Sequence, residues 1–222
     1  MQRNIIDDGF RADLVRGAIF TGIFEIPSLR APTKIIIPND TIPFSLRNQT
    51  TKHNEFIVFY EHDTKFADVL TATDKYLDEI LLFPGVISPD CSLYRDMPLT
   101  LQITNTYMNR AVAHYLQSQG VYVIPNVRWG DERSYTTCIF PEKFAFTGVP
   151  KHSIVSIGTY GCVKSAENKH YFKEGLEAMI DELQPEIVLV YGSMPKIIFD
   201  DFKNSTVFIQ YPDWIKKKKG VY

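Results

Sequence analysis

Gly85-Val86-Ile87-Ser88-Pro89-Asp90-Cys91-Ser92-Leu93-Tyr94-Arg95-Asp96, followed by Met97-Pro98-Leu99, decides how the 222-residue chain is read. A short apolar run, Val86-Ile87, ends at Pro89. A charged loop follows, and then a helix is expected from about Pro98 to Gln119. Pro98 suits the first turn of that helix and Gly120 its C-cap. Leu101, Met108, Val112 and Leu116, with Ile103, Ala111 and Tyr115, recur at helical spacing and are expected to form its buried stripe.

The same strand–loop–helix event recurs on both sides. Upstream, residues 56–60 form a continuous apolar run, the mark of a strand buried on both faces. Glu61, His62, Asp63 and Thr64 then signal a helix start, and Phe66, Val69, Leu70, Leu77, Ile80 and Leu81 fall on one helical face. Downstream, strands are expected over 121–124, 153–157, 187–190 and 207–209. The intervening helices are expected over 141–146, 166–183 and 195–202.

Short crossovers of this kind require parallel strands and right-handed βαβ units. The expectation is a single α/β domain over 1–222 with a mostly parallel sheet of about six strands, barrel-like (TIM-like) or open. Polar residues crowd after nearly every strand rather than at one switch point, which favours the barrel-like arrangement. Residues 55–211 make the βα core and 212–222 a basic tail. Residues 1–54, interrupted by Pro27, Pro32, Pro38 and Pro43, make an irregular N-terminal cap in which runs 20–26 and 34–37 read as strands or extended segments.

A hydrophobic content of 45% with 23% charged residues is that of a soluble globular protein, and a formal net charge of −2 gives no overall pull towards nucleic acid or anionic membrane. The one charge run, Lys216 to Lys219, reads as a solvated tail or, on the other view, a phosphate-binding patch. Cys91, Cys138 and Cys162 are too few and too irregularly spaced for a disulfide framework or a zinc site, and fit a reducing cytoplasm. Asp7, Asp8, Arg11 and Asp13 interrupt any signal peptide, and no apolar run approaches a membrane span. The expected location is cytoplasmic.

In either sheet arrangement the site is expected beyond the C-terminal ends of the strands. Those positions hold Glu61, His62 and Asp63; Asp90, Arg95 and Asp96; Asn126, Arg128, Trp129, Asp131 and Glu132; Thr159, Tyr160 and Lys164; Tyr191 and Ser193. Asp90 and Asp96 are the candidate catalytic carboxylates. Asp90, with Glu61 or Asp131, has the chemistry for acid–base work or for holding one Mg²⁺. The competing reading is that these acids cap helices and pair with Arg95 and Arg128. Asn126, Arg128, Trp129, Thr159 and Lys164 are the candidate ligand-binding residues, with Arg128 and Lys164 holding an anion. Trp129 suits stacking on a base or sugar and equally suits anchoring a loop.

Residues 158–165 have the spacing of a phosphate-binding loop, but Val163 stands where a glycine should precede the lysine, so a true P-loop is not expected. His62, His114, His152 and His170 have no metal-like spacing, and no Gly-x-Ser-x-Gly elbow exists. Cys91 reads as a plain thiol rather than an activated nucleophile.

Leu93-Tyr94-Arg95-Asp96-Met97-Pro98-Leu99, Asn105-Thr106-Tyr107, Val123-Ile124-Pro125-Asn126-Val127-Arg128-Trp129 and Ser156-Ile157-Gly158-Thr159 resemble the DUF4417 family, over about Gly17 to Asp213. That is a family of uncharacterised proteins from bacteria, their phages and mobile elements. The resemblance implies a bacterial or phage-infected cell as the setting and supplies neither reaction nor catalytic residues. Two functions follow as expectations. The first is a domain that binds a small-molecule or phosphate-bearing ligand, extending to a hydrolase or nucleotide-acting enzyme. The alternative is a non-enzymatic accessory protein that binds nucleic acid or a host protein through Lys216 to Lys219 and the Pro-rich N-terminal region.

Overall fold

A computed structural model describes residues 11–51 and 53–220. Residues 1–10 of the expected cap, Lys52, and residues 221–222 of the expected tail lie outside the described residues. The fold is mixed α/β, with one four-stranded parallel sheet, one three-stranded parallel sheet and a small antiparallel ribbon. The ribbon is β1 (Phe20–Thr21) against β2 (Ile26–Pro27).

The four-stranded sheet runs β3 (Thr41–Pro43), β4 (Phe56–Val58), β5 (Val86–Ile87) and β6 (Val123–Ile124), all parallel. Two short helices, α1 (Ala67–Thr71) and α2 (Leu77–Ile80), cross from β4 to β5. The long α3 (Leu99–Ser118) crosses from β5 to β6, and α4 (Glu132–Tyr135) follows β6. The three-stranded sheet runs β7 (Ile154–Gly158), β8 (Ile187–Tyr191) and β9 (Val207–Tyr211), with α5 (Ala166–Leu183) and α6 (Lys196–Phe199) as crossovers. A last helix, α7 (Trp214–Lys218), follows β9.

A parallel bridge between Asn126 and Ser156 joins the two sheets. Val127 N–H donates to the Ser156 carbonyl and Ser156 N–H to the Pro125 carbonyl, each at 2.8 Å. Six strands then share one apolar face: Phe56 and Val58, Ile87, Ile124, Ile154, Leu189 and Tyr191, and Tyr211 form a single cluster. Their alternate residues face outward under the helices. Ile57, Val86 and Val123 pack with Phe66, Val69, Val112 and Leu116. Val155, Ile157, Val188 and Val190 pack with Phe172, Leu176, Met179 and Ile198. This two-sided burial is why the strands read as unbroken apolar runs.

The sheets curve around the inner cluster. Tyr60, just past β4, stacks on Tyr191 of β8 with ring centroids 4.6 Å apart. Among the described residues β9 and β3 are not paired, so the ladder does not close into a barrel. The Tyr211 hydroxyl donates to the Pro38 carbonyl at that gap. No helix among the described residues is long and apolar enough to cross a membrane.

Several expectations are corrected. Residues 34–37 form no strand. The first parallel strand is Thr41–Pro43, which the proline count hides; it lies at the sheet edge, where a residue without an N–H is tolerated. The helix expected over 66–81 is broken at Ala72 (φ −147°, ψ 50°). There the Thr73 hydroxyl turns back onto the Val69 carbonyl at 2.6 Å. Residues 141–146 are not helical; the short helix is α4, whose N-terminus Asp131 caps by accepting from Arg133 N–H at 3.0 Å.

Candidate functional site

The site begins with a face of α3 that apolar periodicity does not reveal. Leu101, expected inside, is 52% exposed, while Gln102, Thr106, Asn109 and Arg110 are buried. Arg110 donates to three backbone carbonyls: Asn126 at 3.0 Å, Ala145 at 3.1 Å and Thr147 at 3.2 Å. It also donates to Asn109 Oδ1. Among the described residues no carboxylate meets it, and burial pulls its pKa down to about 10. Asn109 in turn accepts from Ser88 Oγ at 3.2 Å and donates to the Pro89 carbonyl. The helix thereby grips the C-terminal ends of β5 and β6.

Asn126 is the hub of those ends. Its N–H donates to Ser88 Oγ and its Nδ2 to Asp90 Oδ1, both at 2.8 Å. Its Oδ1 accepts from the Tyr60 hydroxyl at 3.0 Å, and that hydroxyl also lies 2.6 Å from Ser156 Oγ. Arg128 Nη1 donates to the other Asp90 oxygen at 2.9 Å, and Arg128 Nη2 reaches Cys162 Sγ at 3.7 Å. Burial holds the Asp90 carboxyl above the usual carboxylate range, partly offset by Arg128 and Asn126. Burial likewise pushes the Tyr60 phenol well up, with the nearby Asp90 charge adding to it. Cys91 is buried and its thiol is pushed up by burial and then by Asp63 and Asp90, so it is the plain thiol expected rather than a nucleophile.

Above this floor lies a cleft of about 890 Å³. Tyr60, Tyr94, Tyr160, Tyr171, Tyr191 and Trp214 contribute aromatic surface to it. Its acids are Glu61, Asp63, Asp90, Asp96, Glu167 and Asp213, and its basic side chains are Lys65, Arg95 and Arg128. Most of these charges are already engaged. Glu61 accepts from the Ser45 N–H and hydroxyl, Asp63 from the Ser92 N–H and hydroxyl, and Glu167 from Arg95. The Arg95 guanidinium also lies 4.5 Å from the Tyr171 ring centre. Asp96 lines the rim as an exposed carboxylate.

Of the other residues singled out, Asp90 and Arg128 line the cleft and Asn126 braces them from below. Asp131, Thr159 and Lys164 are not among the lining residues. Asp131 is spent on Arg133, at 2.6 Å and 2.9 Å, and on the α4 cap. Thr159 is buried, donating to the Ser193 carbonyl at 2.8 Å. Lys164 is exposed beside the Tyr160 ring. The loop over 158–165 ends in Ser165, which caps α5 by accepting from Asn168 N–H at 3.0 Å. Among the described residues no group of three or more His, Cys, Asp or Glu side chains is disposed to share an ion.

Trp129 belongs chiefly to the core. It packs on Phe172, with ring centroids 5.0 Å apart, and over Gly175. A Cβ at Gly175 would sit 2.2 Å from Trp129 Nε1. Gly175→Ala is therefore expected to destabilise the fold by about 1–3 kcal/mol in urea titrations. It is also expected to weaken the near-ultraviolet tryptophan circular dichroism; an unchanged spectrum and midpoint would mean that the indole shifts aside freely.

Sequence reasoning did not single out Tyr60, Tyr171 and Trp214. Tyr60 was hidden as the last residue of an apolar run, and Trp214 lay in a segment read as tail.

Residues 18–212 match a domain of unknown function, DUF4417. Over 207 residues the chain is 30% identical to the Gene 1 protein of Mycobacterium phage L5, covering 89% of this chain and 83% of that protein. Over 206 residues it is 28% identical to the Gene 1 protein of Mycobacterium phage D29, covering 89% of this chain and 70% of that protein. No solved structure matches the chain.

Proposed function

The chain belongs to the DUF4417 family, and from its cleft we propose that it binds a small molecule across the C-terminal ends of its parallel strands, over the Asp90–Arg128 pair. One observation carries this reading: a cleft of about 890 Å³ whose floor is a hydrogen-bonded ion pair between buried Asp90 and partly buried Arg128. Ligand pockets commonly span roughly 300–1,000 Å³, with apolar walls and a few convergent polar groups. Aromatic rings supply the walls here, and Asp90, Arg128 and the Tyr60–Asn126 bond supply the fixed polar groups.

The ligand chemistry that fits best is not a phosphate. Arg128 already serves Asp90, Lys164 lies outside the lining, and six acids face three basic side chains. A phosphate entering here would meet more negative than positive charge. A flat or polyhydroxylated ligand that donates hydrogen bonds suits the rings and carboxylates. Should the ligand be turned over, Asp90 is the group placed to move a proton, its pKa raised by burial towards the working range of a general acid or base. The nucleic-acid alternative relied on four lysines acting together. Lys217 instead bonds Asp40 at 2.6 Å, and Lys216 Nζ lies 3.9 Å from Asp213.

A thermal-shift panel tests the reading. Nucleosides, sugars and small amines are set beside nucleotides and sugar phosphates. A binder raises the melting temperature as its concentration passes its dissociation constant. The expected hits lie among the uncharged compounds and the amines. Hits confined to the phosphates would overturn the proposed ligand chemistry, and a flat response across the panel at millimolar concentration would count against small-molecule binding.

A further inference from the structure

The basic segment at 214–218 forms one wall of the cleft, and Trp214 and Ile215 line it. Both fall just beyond residues 18–212, where the family match ends. None of the five residues of α7 is buried, and Ile215 is 52% exposed although it borders the cleft. Few bonds hold the helix down. Asp213 caps its first turn, accepting from Lys216 N–H at 3.0 Å. Trp214 N–H donates to the Tyr191 hydroxyl at 2.9 Å. Farther along, Lys217 Nζ reaches Asp40 Oδ2 at 2.6 Å and the Thr41 carbonyl at 2.9 Å, passing 5.2 Å from the Trp214 ring centre.

We infer that α7 is a hinged flap over the cleft, with Lys217–Asp40 as its latch and Trp214 and Ile215 as its ligand-facing apolar surface. The inference rests on the cleft being a binding site. A short element without buried side chains opens at little free-energy cost, independently of the core. The hinge is Pro212–Asp213, where the chain leaves β9 and Asp213 itself is buried. The latch is a partly exposed ion pair, with Asp40 45% exposed, so salt weakens it. The charged groups beside it are Asp213, which faces Lys216, and the neighbouring Lys218 and Lys219. Opening the flap would uncover Tyr191 and the Tyr60 ring stacked on it, and closing it would set the shape of the apolar wall.

The test follows Trp214 fluorescence in the full chain without ligand, the Trp129 signal being removed by subtracting the spectrum of Trp214→Phe. Acrylamide quenching is compared in wild type, Asp40→Asn, Lys217→Met and the control Lys218→Met. The latch variants are expected to raise the Trp214 quenching constant roughly twofold to fivefold, the range set by losing one partly exposed ion pair. Sodium chloride should do the same to wild type, the control should match wild type, and the melting temperature should hold. Unchanged quenching in both latch variants would overturn the inference. So would quenching that rises only together with a fall in melting temperature, since the helix would then be part of the cooperative core. Because no ligand is present, a rigid α7 would leave the binding reading intact, and a failed ligand search would not touch the flap result.

Discussion

Arg110→Met is expected to lower the stability of the chain by about 3–5 kcal/mol, a large share of the roughly 5–15 kcal/mol that holds a typical domain folded. Methionine fills much of the space of the aliphatic stem and restores none of the donors. The carbonyls of Asn126, Ala145 and Thr147 would lose the partner they have in the buried guanidinium. A buried acceptor left unmet costs about 1–3 kcal/mol, and these lie in three separate segments that the arginine ties to α3. Arg110→Lys should recover only part of the loss, because an ammonium cannot span the same fork of acceptors. Urea titration gives the answer. A stability loss below about 1 kcal/mol with an unchanged slope would mean that the three segments are held by their other contacts.

Arg128→Met carries the second large effect, and its size depends on pH. The substitution leaves Asp90 buried with Asn126 as its remaining side-chain donor among the described residues and removes the Arg128 charge that opposes the upward push of burial. The folded-state pKa of Asp90 should rise further above its unfolded value. The native state then binds more protons than the unfolded state in the window between those two values, so the variant loses stability as pH rises through it. The expected cost at neutral pH is about 3–5 kcal/mol, the scale for a buried pair stripped of one partner. It should shrink as pH falls through that window and be lost below the unfolded value of 3.8, where Asp90 is protonated in both states. Adding Asp90→Asn should recover much of the loss at neutral pH and flatten the pH dependence, which a double-mutant cycle measures directly. A loss independent of pH, with no rescue by Asp90→Asn, would show that Arg128 stabilises the fold through its stem alone.

These two arginines mark the boundary of what the sequence discloses. Asp90, Asn126 and Arg128 can be placed together from sequence because each directly follows an apolar run, and parallel strands deliver their C-terminal ends to one side. Helix α5 is equally legible, bounded by Ser165 and Gln184 with Phe172, Leu176 and Met179 inside. Arg110 is invisible to the same reasoning. A buried stripe is sought among apolar residues, whereas α3 buries the polar Gln102, Thr106, Asn109 and Arg110 ahead of its apolar Val112 and Leu116, and Asn109 and Arg110 satisfy strand-end and loop carbonyls. Lys164 fails in the opposite way. Its loop has phosphate-loop spacing, but the Ser165 cap uses the first turn of α5 and the side chain points to the Tyr160 ring. Trp214 is missed because four lysines in a row suggest solvent, and the segment is held over the cleft by partners distant in sequence, Asp40 and Thr41 for Lys217 and Tyr191 for the Trp214 N–H.

Occupancy of the strand-end cleft by a small molecule is read by native mass spectrometry of the chain after incubation with a bacterial metabolite extract, wild type beside the Asp90→Asn/Arg128→Met double variant. A discrete mass increment of small-molecule size is expected on the wild type, released on mild activation and absent from the folded double variant. The same increment on both proteins would place the ligand elsewhere. A wild type that stays bare, yet co-purifies with a protein or nucleic acid from a whole lysate, would contradict small-molecule binding and turn attention to the surface.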